Sequence, residues 1–153
     1  MILDDLDLKL LRLVQEDAET SHATLAEAVG LSVTGIHKRL KRLRQEGIIK
    51  KVVAVLDRNK LGLDLMCFLN VTFKDNVRAS NITDMKRAVT KLPEVLECYS
   101  LTGSNDAVIK IVVRDHTHLR EFLKQLSKVQ SVIGRIETCI VLEEFKEGAA
   151  LPL

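Results

Sequence analysis

Apolar residues recur three and four apart through the first third of the chain, then give way to compact β-branched runs interleaved with two further helical stretches. Leu3, Leu6, Leu10, Leu13 and Val14 predict a first amphipathic helix running to about Asp17, and Asp4, Asp5 and Asp7 place negative charge where a helix N-terminus favours it. Beyond the polar Glu19, Thr20 and Ser21, a short second helix follows from Leu25, Ala26 and Val29, and Gly30 ends it. Ser32 then opens a third helix and Gly47 closes it; Ile36, Leu40 and Leu43 give this helix a narrow apolar stripe. Ile48–Leu56 is rich in Ile and Val and reads as a strand, either a wing or a linker strand. Asp57, Arg58, Asn59 and Gly62 interrupt the apolar pattern, which divides the chain into a domain at 1–56, a linker at 57–63 and a second domain at 64–153.

In the second domain, Leu65–Phe73 has the apolar density of a central strand. Ile82, Met85, Val89 and Leu92 keep helical spacing until Pro93 stops it. Val95–Thr102 and Ala107–Val113 are strands separated by a Gly103–Asp106 turn; Leu119, Phe122, Leu123 and Leu126 form a helix, and Ile136–Phe145 is an outer strand. Strand, helix, strand, strand, helix, strand is the split βαβ, ferredoxin-like order, so the chain is of the α+β class with an N-terminal, winged helix-turn-helix. An antiparallel sheet with both helices on one face leaves the other face to be covered, and a twofold copy of the chain would cover it.

Charge adds what periodicity does not. The net charge is only +2, yet residues 64–153 carry twelve Lys/Arg against twelve Asp/Glu, so the basic excess lies in the N-terminal part. From the third helix into the segment after it, Lys38, Arg39, Lys41, Arg42, Arg44, Lys50 and Lys51 stand against Glu46 alone. On an isolated helix such charges would serve equally well as a solvated face. Behind a tight turn and a supporting helix they fit a recognition helix, which the major groove of double-stranded DNA admits. Val33, Thr34, His37 and Lys38 lie near the start of that helix, where base edges are read. Lys41, Arg42 and Arg44 suit phosphates.

Cys67, Cys98 and Cys139 are odd in number and lack the CxxC pairing of a zinc site, so they read as small buried apolar residues in a reducing compartment rather than as a disulfide. No signal peptide pattern opens the chain and no apolar run approaches the roughly 20 residues of a membrane span. A cytoplasmic protein without metal, cofactor or membrane partner is expected.

The opening LDDLDLKLLRLVQED, the core LAEAVGLSVTGIHKRLKRLRQEGII, the stretch VLECYSLTGSNDAVIKIVV and the closing TCIVLEEFKE together resemble the Lrp/AsnC (leucine-responsive, feast/famine) transcriptional regulators over nearly the whole chain. The resemblance implies a ferredoxin-like domain that mediates dimerisation, frequently assembles dimers into octamers, and binds amino acids or related metabolites between dimers; by the sequence the oligomer is a homodimer, tetramer or octamer. It places the effector pocket at Leu101, Thr102, Gly103, Ser104, Asn105 and Asp106, with Thr138 on the closing strand. Family members often carry an aromatic or bulky residue before the loop aspartate, where this chain has Asn105. By the residues alone the loop has two readings: Asp106 accepts hydrogen bonds from an effector ammonium, or Gly, Ser, Asn and Asp merely shape a turn. Ser32, Thr34, Arg39 and Leu40 fit the family pattern, with Arg39 either a phosphate contact or a structural anchor. Gly35, costly inside a helix, either lets DNA approach closely or is simply tolerated.

Two other functions compete with a DNA-binding regulator. An enzyme finds no support in the scattered His22, His37, His116 and His118, which form no evident triad or metal motif. A stand-alone metabolite sensor or assembly module would need only the second domain and leaves the basic helix without a task.

Overall fold

A computed structural model describes residues 3–75, 79–127, 132–148 and 150–153. Its first three helices are α1 (Asp5–Glu16), α2 (His22–Val29) and α3 (Val33–Gln45). Each starts at a side chain that accepts a hydrogen bond from the orphan amides of the first turn: Asp4 from Asp7, Ser21 from Thr24 and Ser32 from Gly35. Asp7 also returns its carboxylate to the Asp4 amide and completes a capping box. The acidic residues at the start of α1 are thus caps as well as favourable charges. Gly30 and Gly47 take positive φ, 77° and 73°, and let the chain turn sharply after α2 and α3.

Leu10, Leu11, Leu25, Ala26, Val29, Ile36, Leu40 and Leu43 are buried together, and Leu3, Leu6, Leu13, Val14, Leu31 and Ile49 pack around them. At about 1.5–3 kcal/mol for each large side chain, this stripe-to-stripe burial is the main force holding three short helices that would be marginal alone.

The expected strand at Ile48–Leu56 is not formed. These residues carry no strand pairing, and Val52, Val53, Val55 and Leu56 are exposed. Their β-branched side chains favour an extended backbone, but a strand also needs a neighbour for its amides and carbonyls. A 3-10 turn at Asn59–Leu61 follows.

The sheet consists of β1 (Leu65–Phe73), β2 (Val95–Ser100), β3 (Ala107–Val113) and β4 (Ile133–Ile140) in the order β2-β3-β1-β4, antiparallel throughout. With α4 (Ala79–Val89) and α5 (His116–Leu126) between strands, this is the ferredoxin-like arrangement read from the sequence. Cys67, Leu69 and Val71 of β1 pair with Ile111, Ile109 and Ala107 of β3, and all six lie in one core with Met85, Val89, Leu119, Phe122 and Leu126 of the helices. Both helices therefore cover the same sheet face. The opposite face presents Phe68 and Tyr99, 38% and 55% exposed, beside Val108 and Cys139.

Two boundaries differ from expectation. β4 starts at Ile133 and stops at Ile140, because Val141 makes the last bond to β1, donating its amide to the Met66 carbonyl; Leu142 and Phe145 beyond it are exposed. Of the cysteines only Cys67 is buried: Cys139 lies on the open face opposite Phe68, and Cys98 is on the edge strand β2. The chain forms two compact units, Leu56–Phe145 and the helical unit up to Val55, and the latter also includes Lys146–Leu153.

Candidate nucleic-acid interface and effector loop

The inward positions of α3 are taken by Ile36, Leu40 and Leu43, at most 2% exposed, which fixes what the helix shows outward. Ser32, Val33, Thr34, His37, Lys38, Lys41 and Arg44 are all exposed. The Ser32 hydroxyl is engaged as the cap, 3.1 Å from the Gly35 nitrogen. Gly35 has a local reason: a Cβ there would sit 3.3 Å from that same hydroxyl, tight against the cap. His37 makes an edge-on ring contact with His22, centroids 5.8 Å apart, so the first turn of α2 lies beside the residue expected to read bases.

Arg39 and Arg42 point elsewhere. Arg39 Nη1 donates to Asp4 at 2.7 and 2.9 Å and to Asp7 Oδ1 at 2.7 Å. Arg42 Nη2 donates to Asp7 Oδ2 at 2.5 Å. Asp7 is 1% exposed and serves both guanidinium groups, one to each oxygen. The hydrogen bond from Arg39, with a second from the Asp7 amide, holds the Asp4 carboxyl below its ordinary pKa, and the same carboxylates raise the Arg39 guanidinium. Two of the basic residues expected at DNA thus tie α3 to α1. Arg39 makes the ion pairs with Asp4 and Asp7 that the structural-anchor reading requires. The sequence carried the signal, since Asp4 and Asp7 are three apart on one helix and Arg39 and Arg42 three apart on another, but nothing in it says that these faces meet.

The second group of residues sits where β2 turns into β3. Leu101–Ser104 are exposed, while Asn105 and Asp106 are half-buried. Gly103 has φ 127°, a conformation side chains resist. Asp106 is the hub: its amide donates to the Val71 carbonyl, its carbonyl accepts from Leu101, and its Oδ2 accepts from the Phe73 amide at 2.7 Å. One oxygen of the supposed effector ligand therefore already fastens the loop to the end of β1. Thr138 lies opposite Leu69 on β4, on the far side of β1 from β3 and half-buried toward the helices. Loop and Thr138 are thus separated by at least two strand spacings, about 10 Å across the sheet, and by several residues along it. A shallow depression of about 400 Å³ lies elsewhere, on α5, lined by His116, Leu119, Arg120, Leu123, Lys124 and Ser127.

Burial raises the Cys67 thiol above its ordinary pKa, which disfavours the reactive thiolate. Among the described residues no group of three His, Cys, Asp or Glu is placed to hold a metal ion, and no helix is long and apolar enough to cross a membrane.

Comparison with known proteins matches the two halves of the chain separately. Residues 3–50 match the family described as winged helix-turn-helix DNA-binding, and residues 66–151 match the Lrp/AsnC ligand binding domain. The HTH-type transcriptional regulator FL11 of Pyrococcus furiosus is 34% identical over 99% of this chain and 97% of its own. The DNA-binding transcriptional activator DecR of Escherichia coli is 36% identical over 99% of each. The crystal structure of the transcriptional regulator NMB0573 of Neisseria meningitidis, a complex with L-Met, superposes with a TM-score of 0.92 at 29% identity, covering 99% of this chain and 97% of that one. A three-helix DNA-binding unit with a basic third helix, followed by a ligand-binding ferredoxin-like unit and matched end to end by regulators, makes this chain a member of the Lrp/AsnC family of DNA-binding transcriptional regulators.

Proposed function

We propose that α3 enters the major groove with Val33, Thr34, His37 and Lys38 toward base edges and with Lys41 and Arg44 on phosphates, while Arg39 and Arg42 hold its angle against α1. The observation that carries this reading is the exposure of those six side chains on a helix whose inner face is fully buried and whose other two arginines are paired. A homodimer supplies two such helices for a partly palindromic site, and the open sheet face around Phe68 and Tyr99 suits the pairing. Tetramers or octamers would be built from that dimer. The chain acts in the cytoplasm as a regulator rather than as an enzyme.

The effector is an amino acid or a related metabolite, as the L-Met bound by the Neisseria relative supports. Its site comprises the Leu101–Asp106 loop of one copy and Thr138 of another. That division suits their positions on opposite sides of β1, since a ligand of amino-acid size touching both in one chain would have to span the strand. Asp106 shapes the loop through Phe73 and leaves Oδ1 for an ammonium group. Binding to duplex DNA at graded salt tests the first half: log affinity should fall linearly and steeply with log salt. Calorimetric titration with a panel of L-amino acids that includes methionine tests the second. Absence of duplex binding even at low salt, together with amino-acid binding, would favour the metabolite-sensor reading.

A further inference from the structure

The helices α2 and α3 touch outside their shared core as well as within it. The imidazoles of His22, in the first turn of α2, and His37, in the second turn of α3, meet edge to face, with centroids 5.8 Å apart and planes inclined by 61°. The backbones that carry the two rings are fixed relative to each other. Leu25, Ala26 and Val29 of α2 are buried in one cluster with Ile36, Leu40 and Leu43 of α3. The turn between the helices is closed by the Gly30 and Leu31 amides, which donate to the Ala26 carbonyl at 2.9 and 3.0 Å. At the other end of α2, the Ser21 hydroxyl accepts from the Thr24 amide at 3.1 Å, and His22 stands directly after that cap. His22 is half-buried, whereas His37 is exposed.

An outward side chain on a helix has two well-populated χ1 wells, about 180° and −60°, so an exposed imidazole ordinarily divides itself between two directions. Hydrogen bonds are directional, and a given base edge is reached from one of them only. Among the described residues no group hydrogen-bonds the His37 ring, so its contact with His22 is what selects a direction, and both ring nitrogens are left for bases. An edge-to-face aromatic pair favours the paired arrangement by roughly two- to ten-fold.

We propose that His22 is a positioning residue for sequence recognition: without touching a base itself, it holds the His37 ring in the direction from which base edges are read, and so sets how sharply α3 discriminates among sequences. This role rests on α3 being the recognition helix proposed above. It gives α2 a part in specificity, which contacts from that helix to the phosphate backbone would not supply.

The test uses the full chain as His22→Ala, His22→Phe, His22→Asn, His37→Ala and the double variant His22→Ala with His37→Ala. Each is carried through selection of duplex sites from a random pool, then through affinity measurement on the enriched site and its single base-pair changes. Discrimination at the base pairs whose ranking changes in His37→Ala should fall roughly two- to ten-fold in His22→Ala and recover in His22→Phe, which keeps a ring without ring nitrogens. His22→Asn, polar but without a ring, should behave as His22→Ala does. The double variant should rank sequences as His37→Ala alone does, because the ring that His22 positions is gone. An equal loss on every sequence with a lower salt slope in His22→Ala would make His22 a phosphate contact and overturn the positioning role. Recovery in His22→Asn rather than His22→Phe would overturn it too, as would effects that multiply in the double variant. An unchanged ranking in His22→Ala beside a changed one in His37→Ala overturns the positioning role alone. An unchanged ranking in His37→Ala overturns the reading of His37 as a base contact, and the positioning role with it.

Discussion

Asp7→Ala is the substitution that asks most of the helical unit. It removes the acceptors for two charge-assisted hydrogen bonds, from Arg39 at 2.7 Å and Arg42 at 2.5 Å, and for a long capping bond from the Asp4 amide at 3.3 Å. A charged hydrogen bond contributes about 1.5–3 kcal/mol and stranding a buried partner costs about 3–5 kcal/mol. The arginines here are 24% and 42% exposed and can turn partly to water, which brings the expected loss to about 2–4 kcal/mol. A unit of about sixty residues has roughly 3–9 kcal/mol to lose, so the variant should be partly unfolded at or little above ambient temperature. Hydrogen exchange read unit by unit is the assay: protection of α1, α2 and α3 should fall while that of β1 and β3 stays. Replacing all three charges, as Asp7→Leu with Arg39→Met and Arg42→Met, should restore much of the loss, because no buried ion is then left unpaired. Unchanged protection of α3 in Asp7→Ala would refute the assigned role of the carboxylate. So would an equal loss in Asp4→Ala, since Asp4 is half-exposed and leaves Arg39 its bond to Asp7.

Three further outcomes follow from the same geometry. Lys41→Ala should weaken binding to every duplex and lower the salt slope by about one, whereas His37→Ala should alter the ranking of sequences in a binding selection; equal losses on all sequences for both would contradict the division between phosphate and base contacts. Asp106→Ala should lose the effector response and also destabilise the sheet unit by about 1–2 kcal/mol in denaturant titration, because the Phe73 amide loses its acceptor; a normal effector response would remove Asp106 from the site. Asp4 is held below its unfolded pKa of 3.8, so its contribution is complete above that pH and is lost as pH falls through the lower folded value; Asp4→Asn should flatten the acid side of the unfolding-midpoint profile, and a profile unchanged between pH 5 and 2 would contradict the pairing.

Much of the fold is written locally. Ser21 and Ser32 cap helices, Gly30 and Gly47 turn the chain, and Ile36, Leu40 and Leu43 declare which side of α3 is inward, all within a few residues of sequence. The order of elements along the chain was legible too, because β1 and β3 are dense in apolar residues and Pro93 stops the helical spacing after α4. What could not be read depends on which surfaces meet. Arg39 and Arg42 look like any basic residues of a recognition helix until α1 brings Asp7 beneath them. Ile48–Leu56 has the composition of a strand but no neighbour to pair with, and Cys139 has the size of a core residue on the face that α4 and α5 do not cover. In the effector loop, Gly103 and Asp106 were identifiable as special, yet only the Phe73 bond reveals that Asp106 carries a structural duty.

The most direct measurement is selection of duplex sites by the purified protein from a random pool, with and without a panel of amino acids, while oligomeric mass is followed. The expected result is enrichment of a partly palindromic sequence, with one compound shifting affinity or assembly. No enrichment by a well-folded oligomer would contradict sequence-specific recognition through α3.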